Sequence, residues 1–365
     1  MPVYLTASGV PPEDLNRTNP SILRNWIPPN DNLTHLRKKL ERLGDLASVV
    51  EFDEFDRRFM FIREKFIEVE TVERDGATVK EYLIKTPEGN LSYKEKEEKT
   101  VATTWIEDTL LKTKEDAKKI LSVPWKVEKG KIEASIRRYR KLMDGEDEWI
   151  RYIWISTPMV CVSHMYPFET FLKLAYQDKA FIHELVSTAY ERIYERLQYL
   201  LEHDVGDVYR FGGSEQATPP MMSSELYDEY VLKYDRELFD LVHKYDKRVQ
   251  VHCHGRVRTV LRKMKDMRVD ATDPLEPPPQ GDVTPDEALD ITDGAMTIVG
   301  NVEFRDLVRK DRREIKSLTL ELLDRTEGRN LILASSDNPI SGVSDHMLEN
   351  YLVMLEAVEE FRKGC

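Results

Sequence analysis

The sequence predicts an α/β protein built on a (β/α) barrel, with an α+β extension at its N-terminal end. From Trp149 onward, short apolar runs typical of strands alternate with longer amphipathic stretches typical of helices. This alternation is absent before Trp149, and polar residues follow the predicted strands of the second part. Alternating strands and helices imply parallel pairing, for which a barrel is the favoured closure and an open doubly wound sheet is the alternative.

Residues 1–145 are predicted to form the extension, with antiparallel strands and helices that pack on the barrel. A charged helix is predicted near Leu33–Leu43, and a short solvated helix over Thr113–Leu121. The strand-like segments between them are separated by the turn signals Asp75-Gly76 and Glu88-Gly89, and they cover Phe59–Val72, Thr78–Lys85 and Asn90–Lys94. This spacing predicts an antiparallel meander.

Residues 146–365 are predicted to form the barrel as a single structural unit. Its strands are predicted at Ile150–Ser156, Asp207–Phe211, Val249–His254, Val269–Thr272, Met296–Val299 and Leu331–Ala334. Its helices are predicted at Phe168–His203 with a break near Asp178, Ser224–Tyr245, Val257–Met267, Arg312–Thr326 and Leu348–Arg362.

Composition and charge exclude several classes of function. The net charge of −13 argues against general nucleic-acid binding, because a phosphate backbone requires a basic face. The three cysteines, Cys161, Cys253 and Cys365, form no paired framework and are typical of a reducing compartment. The sequence shows neither a signal peptide nor the roughly 20 apolar residues that a spanning helix needs. We therefore expect a cytoplasmic protein without membrane contacts.

The segment Val249–Gly255 reads as a buried strand that carries two histidines to its C-terminal end. Because alternate side chains of a strand share a face, Val249 and Cys253 should pack against helices while His252 and His254 face a polar cavity. Two imidazoles at this spacing can bind one metal ion or one acidic substrate. A pair of hydrogen-bonded core histidines is the alternative.

Other polar residues also follow predicted strands, at the end where barrel active sites lie. They are Thr157, His164, Ser214, Glu215, Gln216, Asp273, Glu276, Asn301, Glu303, Ser335, Ser336 and Asp337. Any one of them alone is better explained as a solvated loop residue, but together they predict a polar catalytic cup. Three prolines, Pro277 to Pro279, should stiffen the loop that carries Glu276, for which an exposed surface turn is the alternative.

Several of these segments resemble the uroporphyrinogen decarboxylase superfamily over roughly residues 149–361. They are His-Cys-His-Gly-Arg from His252, Asp-Pro-Leu-Glu-Pro-Pro-Pro from Asp273, Gly-Asn-Val-Glu from Gly300, Leu-Ile-Leu-Ala-Ser-Ser-Asp from Leu331 and Glu-Asn-Tyr from Glu349. The resemblance implies a (β/α)8 TIM barrel. It covers true decarboxylases and zinc-dependent methyltransferases that work with corrinoid proteins or coenzyme M. The Arg-Gln-Ala-Gly-Arg motif of the decarboxylases is not found here, so the methyltransferase-like members are the nearer group.

The resemblance also implies a zinc site, with departures from the usual ligands. The methyltransferases carry His-x-Cys-Gly and a later Gly-Cys; here His252 matches the histidine, His254 replaces the first cysteine and Asp337 falls near the second. Two imidazoles and a carboxylate form a harder site than one with thiolates, and such a site suits an oxygen-bearing substrate. A site that has lost its metal is the alternative.

The leading hypothesis is a methyltransferase that moves a methyl group from a small methoxylated or methylated donor to cobalt. Zinc on His252, His254 and Asp337 would act as a Lewis acid, and a separate corrinoid protein would supply the cobalt. Glu276, Glu215 and His164 are the expected catalytic residues. The expected substrate-binding residues are Gln216, Asn301, Glu303 and Ser336.

Two further hypotheses remain open. The chain is alternatively a metal-independent decarboxylase of a small carboxylated aromatic or pyrrolic acid, in which the histidines and nearby arginines bind carboxylates. A barrel that binds tetrapyrrole or corrinoid without catalysis is the third hypothesis. The sequence leaves the donor, the partner and the oligomeric state open, with a homodimer as one alternative.

Overall fold

A main sheet of parallel strands and a smaller antiparallel sheet form the framework of the computed structural model. It describes residues 47–50, 57–98, 104–144, 150–327, 329–336 and 344–364. The strands of this part of the chain are β1 Ala47–Val50, β2 Ile67–Arg74, β3 Ala77–Ile84, β4 Leu91–Glu98, β5 Thr104–Asp108, β6 Ile150–Ser156, β7 Val208–Gly212, β8 Arg248–His252, β9 Ala271–Leu275, β10 Thr297–Val302 and β11 Leu331–Ser335.

The α-helices of the described residues cover the parallel strands and connect them. They are α1 Lys114–Leu121, α2 Lys129–Leu142, α3 Pro158–Ser163, α4 Phe168–Gln177, α5 Lys179–Glu202, α6 Ser224–Tyr227, α7 Lys233–Lys244, α8 Arg258–Asp266, α9 Pro285–Ile291, α10 Phe304–Arg309, α11 Arg312–Thr326 and α12 Asp345–Gly364. No helix in these described ranges is long and apolar enough to cross a membrane.

The parallel sheet has the strand order β1-β6-β7-β8-β9-β10-β11, so each inner strand pairs with the sheet strands before and after it in the chain. A doubly wound sheet instead reverses its strand order at a switch point, where its ligands bind. The order along the chain is that of a barrel. It places the C-terminal ends of β6 to β11 along one rim.

Side chains of the sheet alternate between two apolar clusters. Ile153, Phe211 and Val251 belong to the large core between the strands and the surrounding helices. A smaller cluster on the opposite face joins side chains of β6, β9, β10 and β11, and its members are Tyr152, Ala271, Val299, Ile332 and Ala334. The small cluster fills the lower part of the barrel interior and leaves the rim to polar residues.

The predicted antiparallel meander is present as β2, β3 and β4. The unpredicted strand β5 extends it, and the four strands pair in chain order. Its packed face includes Tyr82 and Tyr93, whose ring centroids lie 5.6 Å apart. Tyr82 donates a 2.6 Å hydrogen bond to the buried carboxylate of Glu95, which also pairs with Arg58 at 2.8 Å. This contact ties the meander to the segment that precedes it.

The first strand of the parallel sheet lies inside the predicted extension. Ala47 to Val50 of β1 pair in parallel with Ile150 to Ile153 of β6. The boundary predicted between residues 145 and 146 therefore does not separate all strands of the barrel sheet from the extension. Four residues give too short an apolar run for a period-two pattern to be recognised.

Other elements also differ from the sequence prediction, and β5, α3, α9 and α10 were not predicted at all. The strand predicted from Phe59 begins only at Ile67, because Met60 and Phe61 have φ of 51° and 60° and turn the chain between short 3₁₀ helices. The helix predicted over Ser224–Tyr245 contains a π-helical segment, Asp228–Leu232. Helix α2 was not predicted. The helix predicted near Leu33–Leu43 lies outside the described residues.

Candidate active site

The two histidines of β8 lie side by side at the rim of the barrel. Val249, Val251 and Cys253 are buried in the core shared with the helices, as the alternation predicts. His252 and His254 lie on the other face, with their ring centroids 4.6 Å apart and the rings nearly perpendicular. The local pattern of this strand thus delivers two imidazoles to one place.

A buried ion pair holds His252 from one side. Arg210 of β7 donates to both carboxylate oxygens of Asp273 on β9, and the exposed fractions of the two side chains are only 4% and 6%. Gln250 donates a 2.5 Å hydrogen bond to the same carboxylate. Burial raises the pKa of Asp273, but Arg210 and His252 lower it by a larger amount. The pKa of Asp273 therefore lies well below its usual range.

The hydrogen bonds of His252 determine which ring nitrogen is available. Its Nδ1 lies 2.8 Å from Asp273 Oδ2 and 2.8 Å from Arg210 Nη2. Arg210 Nη2 already donates to Asp273, whose carboxylate is the strongest acceptor here, so we assign the Nδ1 proton to the bond with Asp273. Burial and the nearby Arg210 lower the pKa of His252. The neutral ring then keeps a lone pair on Nε2.

His254 has an equivalent partner in Glu276. Its Nδ1 lies 3.2 Å from Glu276 Oε1, while the backbone N–H of Gly255 donates a 2.5 Å hydrogen bond to Oε2. Burial raises the pKa of Glu276, but the bonds from His254 and Gly255 outweigh it and lower the pKa overall. The ionised carboxylate is therefore the favoured state. This disfavours the role of proton donor that the sequence suggested for Glu276.

The loop of Glu276 is closed by a tight backbone contact. A Cβ added at Gly281 would lie 1.9 Å from the carbonyl oxygen of Glu276. Gly281 also donates its backbone N–H to the carbonyl of Pro277 at 3.0 Å. Only glycine permits this approach, which fixes the position of the carboxylate beside His254.

Glu303 provides a second carboxyl group near Glu276. Glu303 is only 8% exposed, and its Oε1 has no hydrogen-bond partner among the described residues. Ser336 hydrogen-bonds to this carboxyl group and accepts the backbone N–H of Phe304 at 3.1 Å. Burial and the negative charge of Glu276 raise the pKa of Glu303.

A second polar group follows β6 and β7. Gln216 contacts both Ser163 and Nε2 of His164 through its side-chain amide. Burial and the nearby charge of Arg57 lower the pKa of His164 to about 4, so the ring is neutral near pH 7. Arg57 donates a 3.2 Å hydrogen bond to Ser156 at the end of β6. Arg57 is the positively charged residue of this group at the rim.

The remaining predicted residues have different placements. Glu215 lies in the 3₁₀ helix Ser214–Ala217, and its buried Oε2 has no partner in the described ranges. Asn301 donates its amide to the carbonyl of Leu275 at 3.0 Å, so that amide supports the loop. Asp337 lies outside the described residues. Its role as a ligand stays a prediction.

Sequence reasoning missed Arg210 and Trp154, although a signal was present; Gln250 was expected on the histidine face, where it lies. Arg210 stands between Tyr209 and Phe211, which both face the helices, so period-two alternation turns it inward. Trp154 occupies the equivalent position between Ile153 and Ile155 on β6. Its ring lies 4.9 Å from the Arg210 guanidinium and 5.3 Å from the His252 ring.

The contacts that His252 and His254 make through their Nδ1 atoms are those expected of histidines that bind a metal ion. Histidines that bind a metal usually donate their second ring nitrogen to a carboxylate, as Asp273 and Glu276 allow here. The Nε2 atom of His252 then remains available as a ligand atom. Within the described ranges no group of three His, Cys, Asp or Glu side chains is arranged to hold a metal ion. The described residues thus supply two fitting ligands, and the predicted third is Asp337.

The fold and the rim of histidines and carboxylates define a TIM-barrel protein with a candidate active site at the C-terminal ends of its strands. Residues 106–361 match the family described as Uroporphyrinogen decarboxylase (URO-D). The chain therefore belongs to the uroporphyrinogen decarboxylase family, and its fold is the TIM barrel of that family. A search of curated proteins found no significant match.

Two solved structures have similar folds over nearly their whole length. A methyltransferase from Methanosarcina mazei is 14% identical with a TM-score of 0.63, covering 99% of this chain and 94% of that chain. A B12-independent methionine synthase from Shewanella sp. W3-18-1, in complex with selenomethionine, is 13% identical with a TM-score of 0.52, covering 100% and 93%. At these identities the similarity shows the fold alone.

Proposed function

We propose that this protein is a methyltransferase that takes a methyl group from a small methoxylated or methylated donor and passes it to the cobalt of a corrinoid protein. The observation that carries the proposal is the pair of histidines whose Nδ1 atoms each contact a carboxylate. This arrangement places two neighbouring imidazoles at the rim, each with a carboxylate at its Nδ1 atom, as is usual for histidines that bind zinc. The similarity of fold to a methyltransferase supports the proposal.

The charges around the histidines favour a cation at this position. Glu276 contacts His254, and Glu303 lies near Glu276. The positive charge of Arg210 is neutralised by Asp273. A carboxylate bound beside His254 would be repelled by these negative charges. The same charges would stabilise a divalent ion.

In the proposed site His252, His254 and Asp337 would hold zinc. Zinc would supply Lewis acidity, which draws electron density from the oxygen that carries the methyl group. Asp273 and Glu276 would orient the imidazoles through their Nδ1 atoms. The methyl group leaves as a methyl cation equivalent, the electron pair of the broken C–O bond stays on oxygen, and the cobalt supplies the pair for the new bond.

The cobalt would have to come from another protein. The chain contains no Asp-x-His-x-x-Gly segment of the type that corrinoid-binding proteins carry. The open end of the barrel is where the histidines lie, so a corrinoid partner would approach this rim. The partner and the methyl donor are both proposals.

Metal content tests the proposed zinc site directly. Protein purified without a metal-binding tag should contain one zinc per chain, measured by mass spectrometry, and His254→Ala should lose it. His203→Ala is the matched control, because His203 caps the C-terminal end of α5 at the opposite end of the barrel. Zinc retained by His254→Ala, or absent from wild type, would contradict the site.

The alternative function is a metal-independent decarboxylase, and Arg57 is the observation that favours it. Arg57 is a rim cation whose described contact is the hydroxyl of Ser156, so it is able to bind a substrate carboxylate. Transfer of methyl from methanol, a methylamine or a methoxybenzene to added cob(I)alamin would support methyl transfer. Release of carbon dioxide from a pyrrole or benzene carboxylate by metal-free enzyme, abolished in Arg57→Ala, would support the decarboxylase instead.

A further inference from the structure

Glu303 and Glu276 form a pair of carboxyl groups with unequal surroundings. Glu276 receives the backbone N–H of Gly255 and contacts His254, so donors stabilise its negative charge. Glu303 is buried, and its Oε1 receives no hydrogen bond from any described residue. Two neighbouring carboxyl groups resist simultaneous ionisation, and the group with fewer donors keeps the proton.

The position of Glu303 also suits contact with a substrate. It follows β10 directly and precedes α10, at the rim that β8 and β9 share. Ser336, after β11, hydrogen-bonds to the carboxyl group and fixes it through the backbone of Phe304. A buried polar atom without a partner is costly unless a ligand supplies one. Oε1 is such an atom.

We propose that Glu303 is the proton donor to the leaving oxygen of the methyl donor. This inference rests on the proposed methyl transfer and identifies the residue that completes it. As the C–O bond breaks, the oxygen keeps the bonding pair and takes the carboxyl proton of Glu303. The methyl carbon bonds to cobalt with the electron pair of Co(I), and Glu303 regains a proton from water after the product leaves.

The dependence of rate on the leaving group tests this role. Anisole releases a basic phenoxide that needs a proton, whereas 4-nitroanisole releases a weakly basic nitrophenoxide that does not. General acid catalysis typically contributes about 10²–10⁴-fold. Glu303→Gln should therefore lower kcat for anisole by about 100-fold or more with cob(I)alamin as acceptor, and change kcat for 4-nitroanisole by only about 3-fold. Glu303→Asp should restore part of the activity with anisole.

The outcomes separate this inference from the function on which it rests. If wild type transfers methyl from both donors and Glu303→Gln slows both equally, Glu303 has a structural role and the inference is wrong. Unchanged rates for both donors in Glu303→Gln would also overturn it. A wild type that transfers methyl from neither of these two ethers would refute the inference, and one that also fails with methanol and a methylamine would refute the proposed methyl transfer. Glu184→Gln, an exposed substitution on α5, is the control for the change of charge.

Discussion

Replacing Asp273 by Asn should destabilise the protein strongly, because it leaves the Arg210 guanidinium buried without a counter-ion. The side chains of this pair are 4% and 6% exposed, and Asp273 also accepts hydrogen bonds from Gln250 and His252. Removing one partner of a buried pair costs about 3–5 kcal/mol. We expect Asp273→Asn to lower the free energy of unfolding by an amount in this range.

A second ion pair, between β6 and the residue that precedes β7, provides the comparison. Arg151 and Asp207 are joined at 2.6 Å, but their side chains are 42% and 34% exposed. Exposed pairs contribute about 0–1 kcal/mol, so Asp207→Asn should cost far less. Urea unfolding followed by tryptophan fluorescence measures both variants. In the double variant Arg210→Met with Asp273→Asn, the cost should be smaller than the sum of the single costs.

The pH dependence gives the same prediction a second test. Because the folded-state pKa of Asp273 lies below its unfolded value of about 3.9, its stabilising contribution is fully present above that pH. The contribution falls as the pH drops below about 4. The difference between wild type and Asp273→Asn should therefore shrink in acid. A cost for Asp273→Asn equal to that of Asp207→Asn, or a difference that grows in acid, would refute this account of the pair.

Two further predictions concern the rim of the barrel. His164 has a folded pKa of about 4, below the unfolded value of about 6.5, so the unfolded chain binds more protons between these values and stability should rise with pH across this window. His164→Gln should flatten that slope in unfolding experiments at several pH values. Gly281→Ala should displace the loop of Glu276 and reduce zinc content, since the added Cβ would lie 1.9 Å from a backbone oxygen. Gly130→Ala, where no atom lies within 4 Å of the added Cβ, should leave zinc content unchanged and is expected to match wild type in thermal unfolding.

Sequence patterns predicted the elements that depend only on residues close together in the chain. The alternation of Val249, Val251 and Cys253 placed His252 and His254 on the opposite face, because the period of a strand is two wherever it lies. The meander was equally predictable from its glycine turns, and the strand–helix alternation predicted the parallel sheet.

Contacts between distant segments were not predictable in this way. Arg210 on β7 reaches Asp273 on β9 across the intervening β8, and no spacing in the sequence indicates such a contact. The raised pKa of Glu303 likewise depends on burial and on Glu276, which belongs to another loop. Sequence patterns indicated the residues of the rim but not their partners, and the partners determine whether the pKa of each carboxyl group is raised or lowered.

The pairing of β1 with β6 has a consequence for how the chain folds. The two strands are separated by about a hundred residues, and the whole meander lies between them. Closing so long a loop is slow, whereas the hairpins of the meander involve near neighbours in sequence. The meander is therefore expected to form early, during synthesis, whereas β1 pairs only after β6 has been synthesised. The entropic cost of closing a loop rises by only about 0.6 kcal/mol for each doubling of loop length. The long insertion is therefore expected to slow folding but to lower the free energy of unfolding of the barrel only slightly.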